Sequence, residues 1–212
     1  MPDAGNLPKV LVFIDYWNLQ LSLNDREARL AGGADRRFSI DWMKLPQWLA
    51  DQGAAVSGFP AHTYGGARVY TSFNPMSQSD LGYKKWVSTW LDRQPGIQVF
   101  CKERRPKAVA KCPKCHKQIE ICPHCSEKIV ASVEKGVDTA IATDMIRLAW
   151  ENAYDVAVLV TSDADLVPAA EFLDQKGKRV IQAGFPPLGV DLATSCWASF
   201  DIFARRADFR RT

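Results

Sequence analysis

The chain has 212 residues, 47% of them hydrophobic, and a formal net charge of +3. That length suits one globular domain with embellishments, and the mildly basic balance permits nucleic-acid binding without establishing it. No apolar run approaches the roughly 20 residues that a membrane helix needs, and Val10–Ile14 is too short for a signal-peptide core, so a cytoplasmic protein without membrane association is expected.

In chain order, Lys9 to Ile14 reads as a buried strand that ends on a carboxylate, Asp15, and Tyr16 to about Arg29 reads as a helix. Asp41 to Ala50 is a short amphipathic helix, and Asp51 to Gly66 has no clear period. Ala67 to Phe73 is a second strand-like run; Ser79 to Arg93 is helical with Leu81, Trp86, Trp90 and Leu91 forming an apolar face. Ile97 to Phe100 is another strand. After a basic, cysteine-containing stretch, Lys135-Gly136-Val137-Asp138 opens a long helix to about Asn152. Asp155 to Val160 is the most apolar strand. It runs into Thr161-Ser162-Asp163-Ala164-Asp165 and a helix over 164–176 with Pro168 in its first turn, where a missing N–H costs little. Val180 to Ala183 is the last clear strand. Strands alternating with helices predict an α/β fold, a mostly parallel sheet with helices on both faces.

Four acids stand at strand ends or at a helix start: Asp15, Asp138, Asp163 and Asp165. In open parallel sheets the carboxyl edge of the strands is where ligands bind. Asp163 or Asp165 could instead only cap the next helix, and Asp138 could only complement a helix N-terminus. Together, though, the acids can converge on one edge, and like-charged carboxylates repel unless a cation holds them. Oxygen ligands from Asp and Asn suit a hard ion, Mg²⁺ or Mn²⁺, which orients water and neutralises phosphate oxygens in phosphodiester hydrolysis. Asn18 is placed to add an amide oxygen or hold a water. Asp144 falls seven residues after Val137, on the apolar stripe of Val137, Ile141, Met145 and Leu148. A buried acid needs partners, so Asp144 is either a structural residue bonded to its neighbours, the reading favoured here, or a support beneath the metal site.

The stretches Phe13-Ile14-Asp15-Tyr16-Trp17-Asn18-Leu19, Lys135-Gly136-Val137-Asp138 with Asp144, and Thr161-Ser162-Asp163-Ala164-Asp165-Leu166 resemble the three motifs of NYN domains, in the family's order and over Lys9 to Phe203. These are PIN-like metal-dependent ribonucleases, and the chain looks most similar to their bacterial LabA-like branch. The resemblance implies a Rossmann-like sheet, a Mg²⁺ or Mn²⁺ site carried by Asp15, Asn18, Asp138, Asp163 and Asp165, and endonucleolytic hydrolysis of RNA. Ser162, inside the third motif, is expected to support that site. Since one fold hosts several functions, a non-catalytic RNA-binding or regulatory module on the same fold is the alternative.

Four of the six cysteines fall in two Cys-Pro-x-Cys pairs, Cys112 with Cys115 and Cys122 with Cys125. This spacing predicts a closed, structural Cys₄ zinc site. It would sit in an insertion over 102–133 within a single domain spanning 1–212. Arg104, Arg105, Lys107, Lys111 and Lys114 crowd the same stretch. They are expected to contact RNA phosphates beside the acids.

Overall fold

The computed structural model describes residues 7–34, 36–106, 114–122, 124–126 and 132–211. The elements are β1 (Lys9–Asp15), α1 (Tyr16–Leu30), α2 (Leu45–Val56), β2 (Thr63–Phe73), α3 (Gln78–Thr89), β3 (Ile97–Glu103), the short β4 (Arg105–Pro106) and β5 (Ser132–Val133), and α4 (Val137–Trp150). They continue with β6 (Val156–Val160), α5 (Val167–Gln175), β7 (Arg179–Gly184), α6 (Val190–Ser195) and β8 (Ala198–Asp201), with single 3₁₀ turns between some of them. Among the described residues six strands form one sheet in the order β3-β2-β1-β6-β7-β8, every neighbouring pair parallel. β4 and β5 pair with each other, antiparallel, outside that sheet.

Alternation along the central strands sorts the core onto two faces, because successive side chains of a strand point to opposite sides. Val10, Val12 and Ile14 of β1, with Val156, Val158 and Val160 of β6, pack under α1 and α2. Leu11 and Phe13, with Ala157 and Leu159, pack under α4 and α5. The α4 stripe of Val137, Ile141, Met145 and Leu148 is buried as its spacing predicts. All five residues of β6 are buried, as a near-continuous apolar run in a parallel sheet should be.

Some elements are longer than the sequence suggests. α2 runs on to Val56 through Gly53. A Cβ at Gly53 would lie 2.2 Å from Val158 Cγ2, so only glycine lets the helix settle on β6. β2 begins at Thr63, and its register on β1 shifts between Val10 and Val12. The 164–176 segment is a 3₁₀ turn, Ala164–Leu166, followed by α5, with Pro168 in the first turn. The apolar face expected over Ser79 to Arg93 is not wholly core: Leu91, in the 3₁₀ turn after α3, is buried, but Leu81 and Trp90 are exposed. No helix among the described residues is long and apolar enough to cross a membrane.

Candidate active site

The chain adds β2 and β3 on one side of β1, then returns to place β6 on the other side. The strand order therefore reverses between β1 and β6, and such a switch point leaves a crevice at the carboxyl ends of the two strands. Ile14 pairs with Val160 in register. The residues that leave the sheet next, Asp15 and Thr161-Ser162-Asp163, are thus neighbours by topology.

Asp15 is only 7% exposed. It is the N-cap of α1, accepting from the Asn18 N–H at 3.1 Å through Oδ1, and it accepts from the Thr161 hydroxyl at 3.4 Å through Oδ2. Burial pushes its carboxyl up to about 6, reinforced by the charges of Glu134 and Asp138 and opposed by the Asn18 and Thr161 hydrogen bonds. Asn18 Oδ1 in turn accepts from the Ser162 N–H at 3.0 Å, tying α1 to the loop after β6. Thr161 Oγ1 accepts from the Asp163 N–H at 3.2 Å, and Asp163 Oδ1 accepts from the Asp165 N–H at 2.9 Å. Asp163 is thus both a cap and a member of the acid group; the two roles share one side chain.

Asp138 enters from the first turn of α4. Its carboxyl is raised, first by burial and then by the charges of Asp163, Glu134 and Asp165. One carboxylate oxygen from each of Asp138, Asp163 and Asp165 lies within 4.8 Å of the others. Asp15 stands outside that group of three, more deeply buried than its members and coupled through charge to Asp138. Among the described residues, Ser162 Oγ is buried with no hydrogen-bond partner. The loop after β7 covers it. Gly189 adopts φ +69°, and a Cβ there would come within 2.8 Å of Ser162 Cα, so the loop can lie this close only as glycine. Gln182 Nε2 secures the arrangement by donating to the carbonyls of Thr161 and Gly189.

Asp144 does not join the acids. It accepts from the Tyr70 hydroxyl at 2.8 Å and pairs with Arg68 at 3.3 Å and Arg147 at 3.1 Å. It is half-buried, so the stripe position that sequence spacing assigns it lies at the edge of the core. The amide oxygen of Asn18 is engaged with the Ser162 N–H.

Glu134, which sequence reasoning missed, is a further acid at the site. It follows β5 and accepts a hydrogen bond from the Ser72 hydroxyl. Arg104 lies 3.6 Å from it, donates to Ser72 Oγ at 2.8 Å and stacks over Trp17. The expected phosphate ligand Arg104 is therefore already engaged by a carboxylate. Arg105 and Lys114 are exposed. Lys107, Lys111 and Cys112 lie outside the described residues. Cys122 and Cys125 meet: the N–H groups of Cys125 and His124, with the Cys125 thiol, draw the Cys122 thiol below its usual range. The residues after each second cysteine, His116 and Ser126, both adopt positive φ. The three described cysteines of these pairs, Cys115, Cys122 and Cys125, do not gather into a group of three.

The NYN domain family matches residues 9–198, which take in all three motifs and the whole acidic edge. The chain belongs to the NYN domain family. NYN domains are PIN-like, typically nucleases that act on RNA, and the PIN-like nucleases usually use a divalent metal. The six-stranded parallel sheet accords with that fold. Among solved structures, a protein of unknown function from Vibrio parahaemolyticus shares 16% identity and a TM-score of 0.52, with 99% of each chain covered. AraP, an arabinose binding protein from Geobacillus stearothermophilus, shares 10% identity over 92% of this chain and 81% of its own, at a TM-score of 0.29. A search of curated proteins finds no match.

Proposed function

We propose that this NYN domain is a Mg²⁺- or Mn²⁺-dependent endoribonuclease. The observation that carries the reading is the convergence of the Asp138, Asp163 and Asp165 carboxylates at the switch point of the sheet. The donor set fits a hard divalent ion: all ligands are carboxylate oxygens, and the carboxyls of Asp138 and Asp15 are raised, first by burial and then by the charges of neighbouring acids. Such an ion supplies an activated water and neutralises charge on a phosphate. The protein's own part is to hold three oxygens on one side of the crevice. Asp15 adds charge from a more buried position. Asn18, Thr161 and Gln182 fix the loop that carries Asp163 and Asp165, so little reorganisation is needed when substrate arrives.

We read the chain as one domain, residues 1–212, nearest the bacterial LabA-like branch and working in the cytoplasm. Residues 102–133 form an inserted structural zinc knuckle with Cys112, Cys115, Cys122 and Cys125 as ligands. Two observations support this: the Cys122–Cys125 approach and the positive φ after each second cysteine. β4 and β5, at the two ends of that stretch, pair with each other, and Glu134 follows β5 directly. Arg105, Lys107, Lys111 and Lys114 then offer cations to RNA phosphates, whereas Arg104 is paired with Glu134.

Purified protein incubated with single-stranded and structured RNA should cleave with Mn²⁺ or Mg²⁺ and stop with chelator, and Asp163→Asn should abolish cleavage while remaining folded. Tight RNA binding without cleavage by the wild type would mean a non-catalytic RNA-binding module instead.

A further inference from the structure

A line of aromatic rings leads away from the acidic edge along the face covered by α1 and α3. Tyr83, Trp86 and Trp90 recur three and four residues apart, so they share one side of α3 and its cap. Trp17 begins the line. Its indole N–H donates to the Ser72 carbonyl at 2.7 Å, and the Ser72 hydroxyl binds Glu134 at the acids. Ring centroids follow at 5.1 Å from Trp17 to Tyr83, 5.9 Å to Trp86 and 5.7 Å to Trp90, the last pair stacked at 21°. Core packing accounts for the inner rings but not for Trp90, which is 37% exposed at the end of the helix. Beside the outer rings lies a cavity of about 470 Å³, walled by Trp42, Trp86, Trp90, Gln20 and Arg211. It is roomy enough for a planar heterocycle.

The charges around the line are mostly positive. Lys84 lies over Phe73, the charge of Arg37 acts on Tyr16, and Arg211 stands at the cavity, whereas Arg104, which covers Trp17, is paired with Glu134. The acid in the cavity wall, Asp41, is paired with Lys44 at 3.4 Å. Aromatic faces flanked by cations are how proteins hold unpaired nucleic-acid strands, since every base presents a π-face and the backbone is a polyanion. A purely apolar protein partner would find no use for the cations.

We propose that this line is the track for single-stranded RNA leaving the acidic edge, with an unpaired base seated in the cavity between Trp42 and Trp90. The proposal rests on the ribonuclease reading for the identity of the polymer. Its consequence is substrate class: a duplex, whose bases are already stacked, cannot use the track.

The test uses the full chain as Asp163→Asn, so that labelled RNA survives, and compares a single-stranded oligonucleotide with the same sequence annealed into a duplex. The single strand should bind more tightly than the duplex and quench tryptophan emission. Trp90→Ala should weaken single-strand binding about tenfold and leave duplex binding unchanged. Trp150→Ala, 83% exposed on α4 over the other face, should change neither. Trp86→Phe, which keeps a ring, should retain more affinity than Trp86→Leu. Equal single-strand affinity for Trp90→Ala and Trp150→Ala, or a preference for duplex, overturns the track. If the track variants bind normally while wild type cleaves RNA, the track fails and the nuclease reading stands. If they lose binding while wild type never cleaves, the track stands and the nuclease reading fails. If the protein binds no RNA, both fail.

Discussion

Asp15 sits where a carboxylate is expensive. Its folded value of about 6 lies above its ordinary 3.8 because burial and the neighbouring acids disfavour its charge. Between those two values the folded state binds more protons than the unfolded chain, so stability falls as pH rises through about 4 to 6, and it stays lower above that window. The gap corresponds to about 3 kcal/mol at most. Asp15→Asn keeps an oxygen for the Asn18 N–H and removes the charge. In chelator, urea unfolding should show the variant more stable than wild type at pH 8 and little different at pH 4; a variant less stable at pH 8 would contradict the electrostatic account. Asp144 should behave in the opposite sense, because its charge is paired with Arg68 and Arg147. Asp144→Asn leaves two guanidinium groups without their carboxylate and should destabilise the fold by about 2 kcal/mol by urea unfolding. The acids of the motifs were legible because each ends a strand or opens a helix. Glu134 was not, since it lies in a charged loop after the cysteine stretch, without a period. Its place four residues before Asp138 was the available signal. The engagement of Arg104 was hidden for the same reason: a basic run says nothing about which cation meets an acid.

At the level of elements, β1 and β6 were plain from their apolar runs, and the two-faced core followed from alternation along them. α2 was legible only in part, because Gly53 looks like punctuation when its real role is contact with Val158. β8 was missed: among the described residues Ala198–Asp201 is an edge strand, paired only with β7 and half-exposed, so it lacks the apolar run that marks a central strand. The helical face of α3 was read correctly by period, but period cannot tell a face that meets the core from one that continues past it to Trp90. The cysteine insertion belongs to this scale too. Elemental analysis should find one zinc per chain, and Cys122→Ser with Cys125→Ser should lose it while the α/β core still melts cooperatively. Zinc-free wild type with freely reacting thiols would remove the knuckle from the account.

The whole molecule is a sheet that gathers charge at one edge. The chain's net charge is only +3, yet the acids collect where strand order reverses and the aromatic line with its cations runs from there. That gathering was foreseeable from the parallel order of the strands, whereas its geometry, three acids grouped and Asp15 buried more deeply, was not, because it depends on hydrogen bonds among loops distant in sequence. The acids together are the central claim, and melting in the presence of a divalent ion tests them without any substrate. In chelator, Asp163→Asn relieves repulsion with Asp138 while an asparagine oxygen still caps the Asp165 N–H, so it should melt slightly above wild type, by less than about 1 kcal/mol in stability. Added Mn²⁺ binds the assembled cluster alone and should raise the wild-type melting temperature in a concentration-dependent way, with a smaller rise in Asp163→Asn and a wild-type-sized rise in Asp144→Asn. If Asp163→Asn melts below wild type in chelator and Mn²⁺ moves none of the three curves, the acids are separate helix caps and no metal site exists at this edge.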